Sequence, residues 1–204
     1  MSKARQEILN KLKNAVHPQP EKPDFDAPVY FSIDQPLDLV FKENLEKVNG
    51  SVYICESEEE LISEIKAFLS TYNPENIACA ESGLRQFLTS NNIQLSLSKE
   101  ASETTEIGIT TCEFLVAHTG SVMVSSAIEG ARQSFVYPPV HLVIARKNQI
   151  VDYLRSAYTE IQLKYGEKLP SQITLITGPS RTADIEKTLV LGAHGPRELK
   201  VYIY

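Results

Sequence analysis

A chain of 204 residues, 42% hydrophobic and 23% charged, can bury one substantial core and has the composition of an ordinary globular protein. Its net charge of −6 and pI near 5.3 argue against a nucleic-acid or anionic-membrane surface. No apolar run approaches a membrane span and the first residues lack the apolar region of a secretion signal, so the expected location is the cytoplasm.

Residues 1–16 space Ala4, Ile8, Leu12 and Val16 four apart, with Lys and Arg between them. That spacing predicts an amphipathic helix with one narrow apolar stripe, able to dock on its own domain or on a partner. The proline-dense His17-Pro18-Gln19-Pro20-Glu21-Lys22-Pro23, with Pro28 and Pro36 beyond it, reads as an extended linker. Two parts follow: a helix and linker over 1–36, and a single α/β domain over 37–204.

Leu37, Val40, Phe41, Leu45 and Val48 predict a helix that Gly50 ends. A first core strand covers 51–55. Ser57 and Glu60 are spaced as a capping box for a helix burying Leu61, Ile65, Phe68 and Leu69. A second strand follows at 76–80, a second helix at 82–90 with Leu84, Phe87 and Leu88, and a weaker third strand at 93–97. This β-α-β-α-β order predicts an α/β fold with a mainly parallel sheet covered by helices on both faces.

The pattern changes after Glu106. Residues 107–109 read as a strand, and Thr110 as the cap of a helix over 112–117. His118-Thr119-Gly120 is a turn, and 121–126 (SVMVSS) a strong strand. The loop over 127–139 has thirteen residues, a length at which structureless loops tend to bind something. It carries Glu129, Gly130, Arg132 and Tyr137. A strand at 140–145 and a long helix over 150–165 come next, the helix turning Val151, Leu154, Ala157, Tyr158 and Ile161 inward. The β-branched run 173–177 reads as a buried strand broken by Gly178-Pro179, and 183–189 as the helix that Ser180 or Thr182 caps. A last strand over 199–203 closes the sheet.

Three bends carry the candidate chemistry: Thr119-Gly120-Ser121, the loop Glu129–Pro139 with Arg132, and Gly178–Thr182 with Ser180 and Arg181. In a parallel sheet such bends are expected to gather at the strands' carboxyl ends and form a crevice for a small anionic metabolite. Arg181 would grip a carboxylate or phosphate in bidentate fashion. The plainer readings are that Ser180 only caps, that Arg181 pairs with Asp184, and that Glu129 and Arg132 pair with each other. His141, beside the loop, reads either as a group titrating near neutral pH or as a hydrogen-bonded core histidine. His194 lies in a turn that a ligand can reach, and His118 suits a helix end. Cys55, Cys79 and Cys112 stand too far apart for a CxxC clip or a cysteine-rich iron–sulfur site, and no metal or cofactor is expected. GxSxG, Walker A, GxGxxG and HExxH patterns are absent. The residues alone name no reaction.

The strings AHTGSVMVSS, EGARQSFVYPPVHLVIARKNQIV and above all ITGPSRTADIEKTLVLGAHGPRELKVYIY resemble the domain named after lactate-utilization protein C, over roughly 106–204. The resemblance implies a fold like ribose-5-phosphate isomerase, glucosamine-6-phosphate deaminase and the CoA-transferases. It also implies a part in oxidising L-lactate to pyruvate, beside two companion proteins that carry iron–sulfur clusters. A third member with no cysteine cluster fits that arrangement. The alternative is a stand-alone enzyme or binding module for a phosphorylated or carboxylated metabolite. His118 stands where the family usually has an acidic residue before Thr-Gly, so the resemblance brings no carboxylate to that turn.

Overall fold

The computed structural model describes residues 3–15, 22, 30–96, 101–102, 104–183, 189–191 and 195–204, with backbone alone at 131–132, 182–183 and 189–191. Two units separate, Met1–Phe31 and Ser32–Tyr204. In the first, helix α1 (Lys3–Asn14) buries none of its residues, and Ile8, Leu9 and Leu12 are exposed.

The second unit begins with α2 (Leu37–Lys47), β1 (Ser51–Ile54), α3 (Glu58–Leu69), β2 (Ile77–Ala78), α4 (Ser82–Ser90) and β3 (Ile107–Thr110). It continues with β4 (Phe114–Val116), β5 (Ser121–Ser125), the short α5 (Ala131–Ser134), β6 (Val140–Ala145), β7 (Ile150–Val151) and α6 (Leu154–Tyr165). The last elements are β8 (Ile173–Ile176), β9 (Arg181–Ala183), β10 (Leu189–Leu191) and β11 (Glu198–Ile203).

Five strands form a sheet in the order β1-β11-β6-β3-β2, and every pairing in it is parallel. Its central strand β6 is apolar at every position but His141 because both of its faces are covered. Val140, Leu142 and Ile144 pack with Leu61, Ile65 and Leu69 of α3 and Leu84 and Leu88 of α4. Val143 and Ala145 point the other way, onto Phe41 and Leu45 of α2 and Leu115, Val122 and Val124 of a second sheet. That sheet has the order β7-β4-β5-β8, with β5 antiparallel to both neighbours. Its outer face packs Val116 and Met123 on Ala157 and Ile161 of α6. The expectation of helices on both faces is thus corrected. One face carries α3 and α4, and the other carries α2 together with a mixed sheet.

The local reading fails where apolar runs are short. Residues 112–117, expected to be a helix, hold β4, whose Leu115 and Val116 are both fully buried, so the run shows no one-sided helical stripe. The helix expected over 183–189 gives way to antiparallel pairing of β9 with β10, Thr182 facing Val190. Strand preference in Leu189-Val190-Leu191 outweighs the helix signal before it, and 184–188 lie outside the described residues. The third strand expected at 93–97 is absent from 93–96, which keep one ladder-like bond, Ser96 N to the Ile77 carbonyl at 3.0 Å. The long helix is α6, which starts at Leu154 because Ile150 and Val151 pair with β4, and Tyr158 is exposed rather than inward. The capping box forms in part. Ser57 accepts from Glu60 N, but the Glu60 carboxylate reaches back one residue further, to Glu56 N at 2.7 Å. At the end of α2, Asn49 takes the left-handed backbone expected of Gly50, whose own amide donates to the Leu45 carbonyl at 3.0 Å.

Candidate functional site

Ligands of open α/β sheets bind outside the carboxyl ends of the parallel strands. Here a hollow of about 490 Å³ lies at that edge, with residues at or just past the ends of β3, β6 and β11 in its lining. Its lining is apolar at Leu84 and Phe87 of α4. It is polar at Arg146 after β6, Gln149, Lys164 of α6 and Tyr204 after β11. Gln149 fixes the polar part. Its side-chain oxygen accepts from Arg146 N at 2.8 Å, and its amide donates to the Cys112 carbonyl at 2.6 Å. Arg146 Nε in turn donates to the Tyr204 hydroxyl at 3.2 Å.

Beneath the hollow lie two glutamates in unlike settings. Glu113, its side chain wholly buried, accepts from Lys164 Nζ at 2.7 Å, Tyr165 OH at 2.7 Å and Ser125 Oγ at 2.5 Å. Burial alone would raise its pKa. The hydrogen bonds from Lys164, Ser125 and Tyr165 outweigh it and hold the carboxyl below the usual range. Glu81 stands at the start of α4 and accepts from Thr111 N and Oγ1, each at 2.6 Å. Burial, with Glu129 and Glu113 nearby, pushes its pKa up against those two bonds. The amide of Ser82, which Glu81 leaves uncapped, donates to the Glu129 carboxylate at 2.9 Å. A lining with two cations, beside one carboxyl whose pKa is raised and one whose pKa is lowered, is a setting for anion binding and proton transfer.

The bends singled out in the sequence gather elsewhere. Thr119, Ser121 and Thr177 form a hydroxyl chain, with Oγ–Oγ distances of 2.7 and 2.8 Å. Gly120 (φ +60°) and Gly178 (φ +80°) lie against the backbone of α2's last turn, at Asn44–Leu45 and Val48. Ser180 shares a groove of about 240 Å³ with Phe135, Val136, Gly178 and Gly195. Two of the three bends do meet, then, but beside the amino ends of β6 and β11, where Ser180 N donates to the Pro196 carbonyl at 2.8 Å. There the Pro139 carbonyl accepts from Arg197 N at 2.7 Å and Glu198 N at 3.1 Å. The carboxyl-edge expectation is corrected: β8 belongs to the mixed sheet and delivers Gly178 to the opposite rim. The exposed Arg181 donates to the Val48 carbonyl.

Glu129 sits apart from this groove, its carboxylate at the start of α4. The side chain of Arg132, His194 and Asp184 lie outside the described residues. His141 is fully buried. Its Nε2 lies 2.8 Å from Thr110 Oγ1, and burial depresses its pKa to about 3, which removes the reading as a neutral-pH acid or base. His118 is exposed, its ring 4.8 Å from that of Tyr153. Arg146, Gln149, Lys164, Glu113 and Glu81 were not foreseen. Only their places after predicted strands and on α6 could have marked them. Among the described residues no group of three His, Cys, Asp or Glu is placed to hold a metal ion, and no helix is long and apolar enough to cross a membrane.

Known proteins bear on this arrangement. The chain is 31% identical over 189 residues to lactate utilization protein C of Halalkalibacterium halodurans, covering 86% of this chain and 81% of that one. Proteins of the same name from Geobacillus thermodenitrificans (37% over 99 residues) and Shouchella clausii (36% over 123 residues) match over 41% and 54% of their own lengths. The crystal structure of a DUF162 family protein from Deinococcus radiodurans shares the fold, with a TM-score of 0.61 at 20% identity over 82% of this chain and 95% of that one. The family profile described as the LUD domain matches residues 39–204, which takes in both sheets and every residue of the carboxyl-edge hollow. With that span covered and the lactate utilization protein C relatives alongside, the chain belongs to the LUD-domain family.

Proposed function

We propose that the chain serves the oxidation of L-lactate to pyruvate as a component without an iron–sulfur cluster of its own, beside cluster-bearing partners, and that it binds a small anionic metabolite in the carboxyl-edge hollow. Family membership and the relatives' name support the lactate role. Cys55, Cys79 and Cys112 are each buried and free, which fits a member that leaves cluster binding to others. The anion site rests on one observation: Arg146 and Lys164 line the same hollow at the strands' carboxyl ends. The groove at the opposite rim is the weaker candidate, because among the described residues no cationic side chain lines it.

The test has two arms. L-Lactate or pyruvate at about 100 times its dissociation constant should add about 2.7 kcal/mol of stability. Arg146→Gln should abolish that shift, while Arg181→Ala leaves it in place. The tagged chain should also co-purify with the iron–sulfur proteins of lactate oxidation. A shift lost with Arg181→Ala and kept with Arg146→Gln moves the site to the other rim. A chain that never associates with those proteins removes the complex role. A second reading, a stand-alone enzyme or binding module, gains support from the size of the hollow, which a three-carbon acid would fill only in part.

A further inference from the structure

The lining of the hollow is of two kinds. Cavities of roughly 300–1,000 Å³ hold drug- or cofactor-sized ligands, and this one measures about 490 Å³. A lactate carboxylate would satisfy Arg146 and Lys164 and leave the apolar part of the lining uncovered. That part is made by Phe87 and Leu84 from α4, Ile144 and the ring of Tyr204. The Tyr204 ring is already held, since Arg146 donates to its hydroxyl and its guanidinium carbon lies 6.0 Å from the ring centre. Access is open, because a Cβ added at Gly83 in the first turn of α4 would meet no atom within 4 Å. Cationic anchors and aromatic surface in one lining suit a ligand with an anionic group at one end and a flat ring at the other.

We propose that the carboxyl-edge hollow takes a nucleoside monophosphate, its phosphate meeting Arg146 and Lys164 and its base lying against Phe87 and Tyr204. The proposal rests on the same hollow as the anion site above and names a larger ligand class for it. Phosphate is the anionic group that Arg holds in a fork and Lys as a point charge. Stacking on an aromatic face tolerates any base, so the hollow sets the class rather than the base. The buried Glu113 carboxylate, accepting from Lys164 at 2.7 Å, keeps the lysine protonated and offsets part of its charge, so Arg146 carries the larger share of the grip.

Calorimetric titration of the full chain tests this with adenosine 5′-monophosphate, ribose 5-phosphate, adenosine, inorganic phosphate and L-lactate. The monophosphate should bind at least about tenfold more tightly than ribose 5-phosphate, adenosine or phosphate. Arg146→Gln should weaken it about tenfold and leave adenosine unchanged, whereas Phe87→Leu should weaken the monophosphate and leave ribose 5-phosphate unchanged. Both variants change side chains at the rim of the hollow, and their far-ultraviolet dichroism reports whether they fold. Equal binding of the monophosphate and ribose 5-phosphate, or no binding of the monophosphate, overturns the proposal. Arg146-dependent binding of lactate with none of the monophosphate leaves the small-acid reading standing and this one fallen. Monophosphate binding with none of lactate does the reverse.

Discussion

Lys164 Nζ stands 2.7 Å from Oε2 of Glu113, the lysine side chain half exposed and the glutamate side chain wholly buried. Such a pair is costly to break from one side, because the buried carboxylate keeps its charge and loses its strongest partner. Lys164→Met should therefore destabilise the fold by about 2 kcal/mol, less than a fully buried pair because solvent reaches the lysine. Glu113→Gln should cost less, and the double variant less than the sum of the two singles. Urea unfolding of the four proteins measures this, and additive costs would count against it. The pH dependence follows. Glu113 has a folded pKa below its ordinary 4.5, so its contribution is present above that value and is lost as pH falls through the folded one. Glu113→Gln should flatten the acid limb of the stability curve there.

Glu81 should behave oppositely. Its folded pKa lies above 4.5, so its contribution is complete below that value and is lost as pH rises through the folded pKa. Glu81→Gln removes that loss. The variant is expected to be destabilised at low pH, where the native carboxyl and Thr111 are well matched, and to gain on the wild type as pH climbs above 4.5. Denaturation midpoints measured across the acid range give the sign directly. A gap that widens with rising pH would contradict a raised pKa at Glu81.

Two kinds of residue were legible in the chain and a third was not. Period-two and period-3.6 patterns exposed β1, α3, α4, β5 and β6, since each of these elements buries a defined stripe or run. Glycines at bends were legible too: Gly120 and Gly178 both have positive φ and both sit where loops meet. What the order of elements concealed was sheet membership. The run 173–177 reads as any core strand does, and only its antiparallel pairing with β5 takes Gly178 to the amino rim. The site residues were harder still. Lys164 falls on the exposed side of α6 by any helical pattern. Its meaning comes from Glu113, which is 51 residues earlier in the chain.

Glycine substitutions separate a packed bend from an open one. A Cβ at Gly178 would come within 2.5 Å of the Val48 carbonyl oxygen, and one at Gly120 would strike the backbone of Leu45; both positions have positive φ. Gly120→Ala and Gly178→Ala should each cost about 2 kcal/mol or more, from left-handed strain plus displacement of α2's last turn. Gly83 has open space and lies in helix α4. Gly83→Ala should stabilise by about 0.5–1 kcal/mol, through helix propensity and a less flexible unfolded chain. Thermal unfolding of the three variants decides it, and a neutral Gly120→Ala would refute the close approach of the turn to α2.

His141 offers a check on the core. Burial holds it neutral, with a folded pKa of about 3 against 6.5 unfolded. A depressed base costs stability as pH falls from 6.5 towards 3, because the unfolded chain gains a proton that the folded chain refuses. The His141 ring resonances should stay unshifted by nuclear magnetic resonance down to about pH 4. His141→Asn, which keeps a polar group for Thr110, should lower stability near neutral pH and reduce its fall on acidification. A His141 signal that moved near pH 6.5 would restore the acid–base reading of this residue.

Removal of residues 1–31 tests the N-terminal helix. Helix α1 has no buried residue, so it adds little apolar burial to the fold. Its Ile8, Leu9 and Leu12 are exposed on a segment carrying Lys3, Arg5, Lys11 and Lys13, in a chain whose net charge is −6. The truncated chain should unfold within about 0.5 kcal/mol of the full one, as expected for changes away from the core. It should also keep the Arg146-dependent ligand shift. Association with partner proteins should fall if the exposed apolar stripe is what they grip, as amphipathic helices are gripped in grooves. Ile8→Asp with Leu12→Asp should reproduce that loss in the intact chain without moving the unfolding midpoint. A large drop in stability on truncation would instead mean that the helix covers part of its own domain.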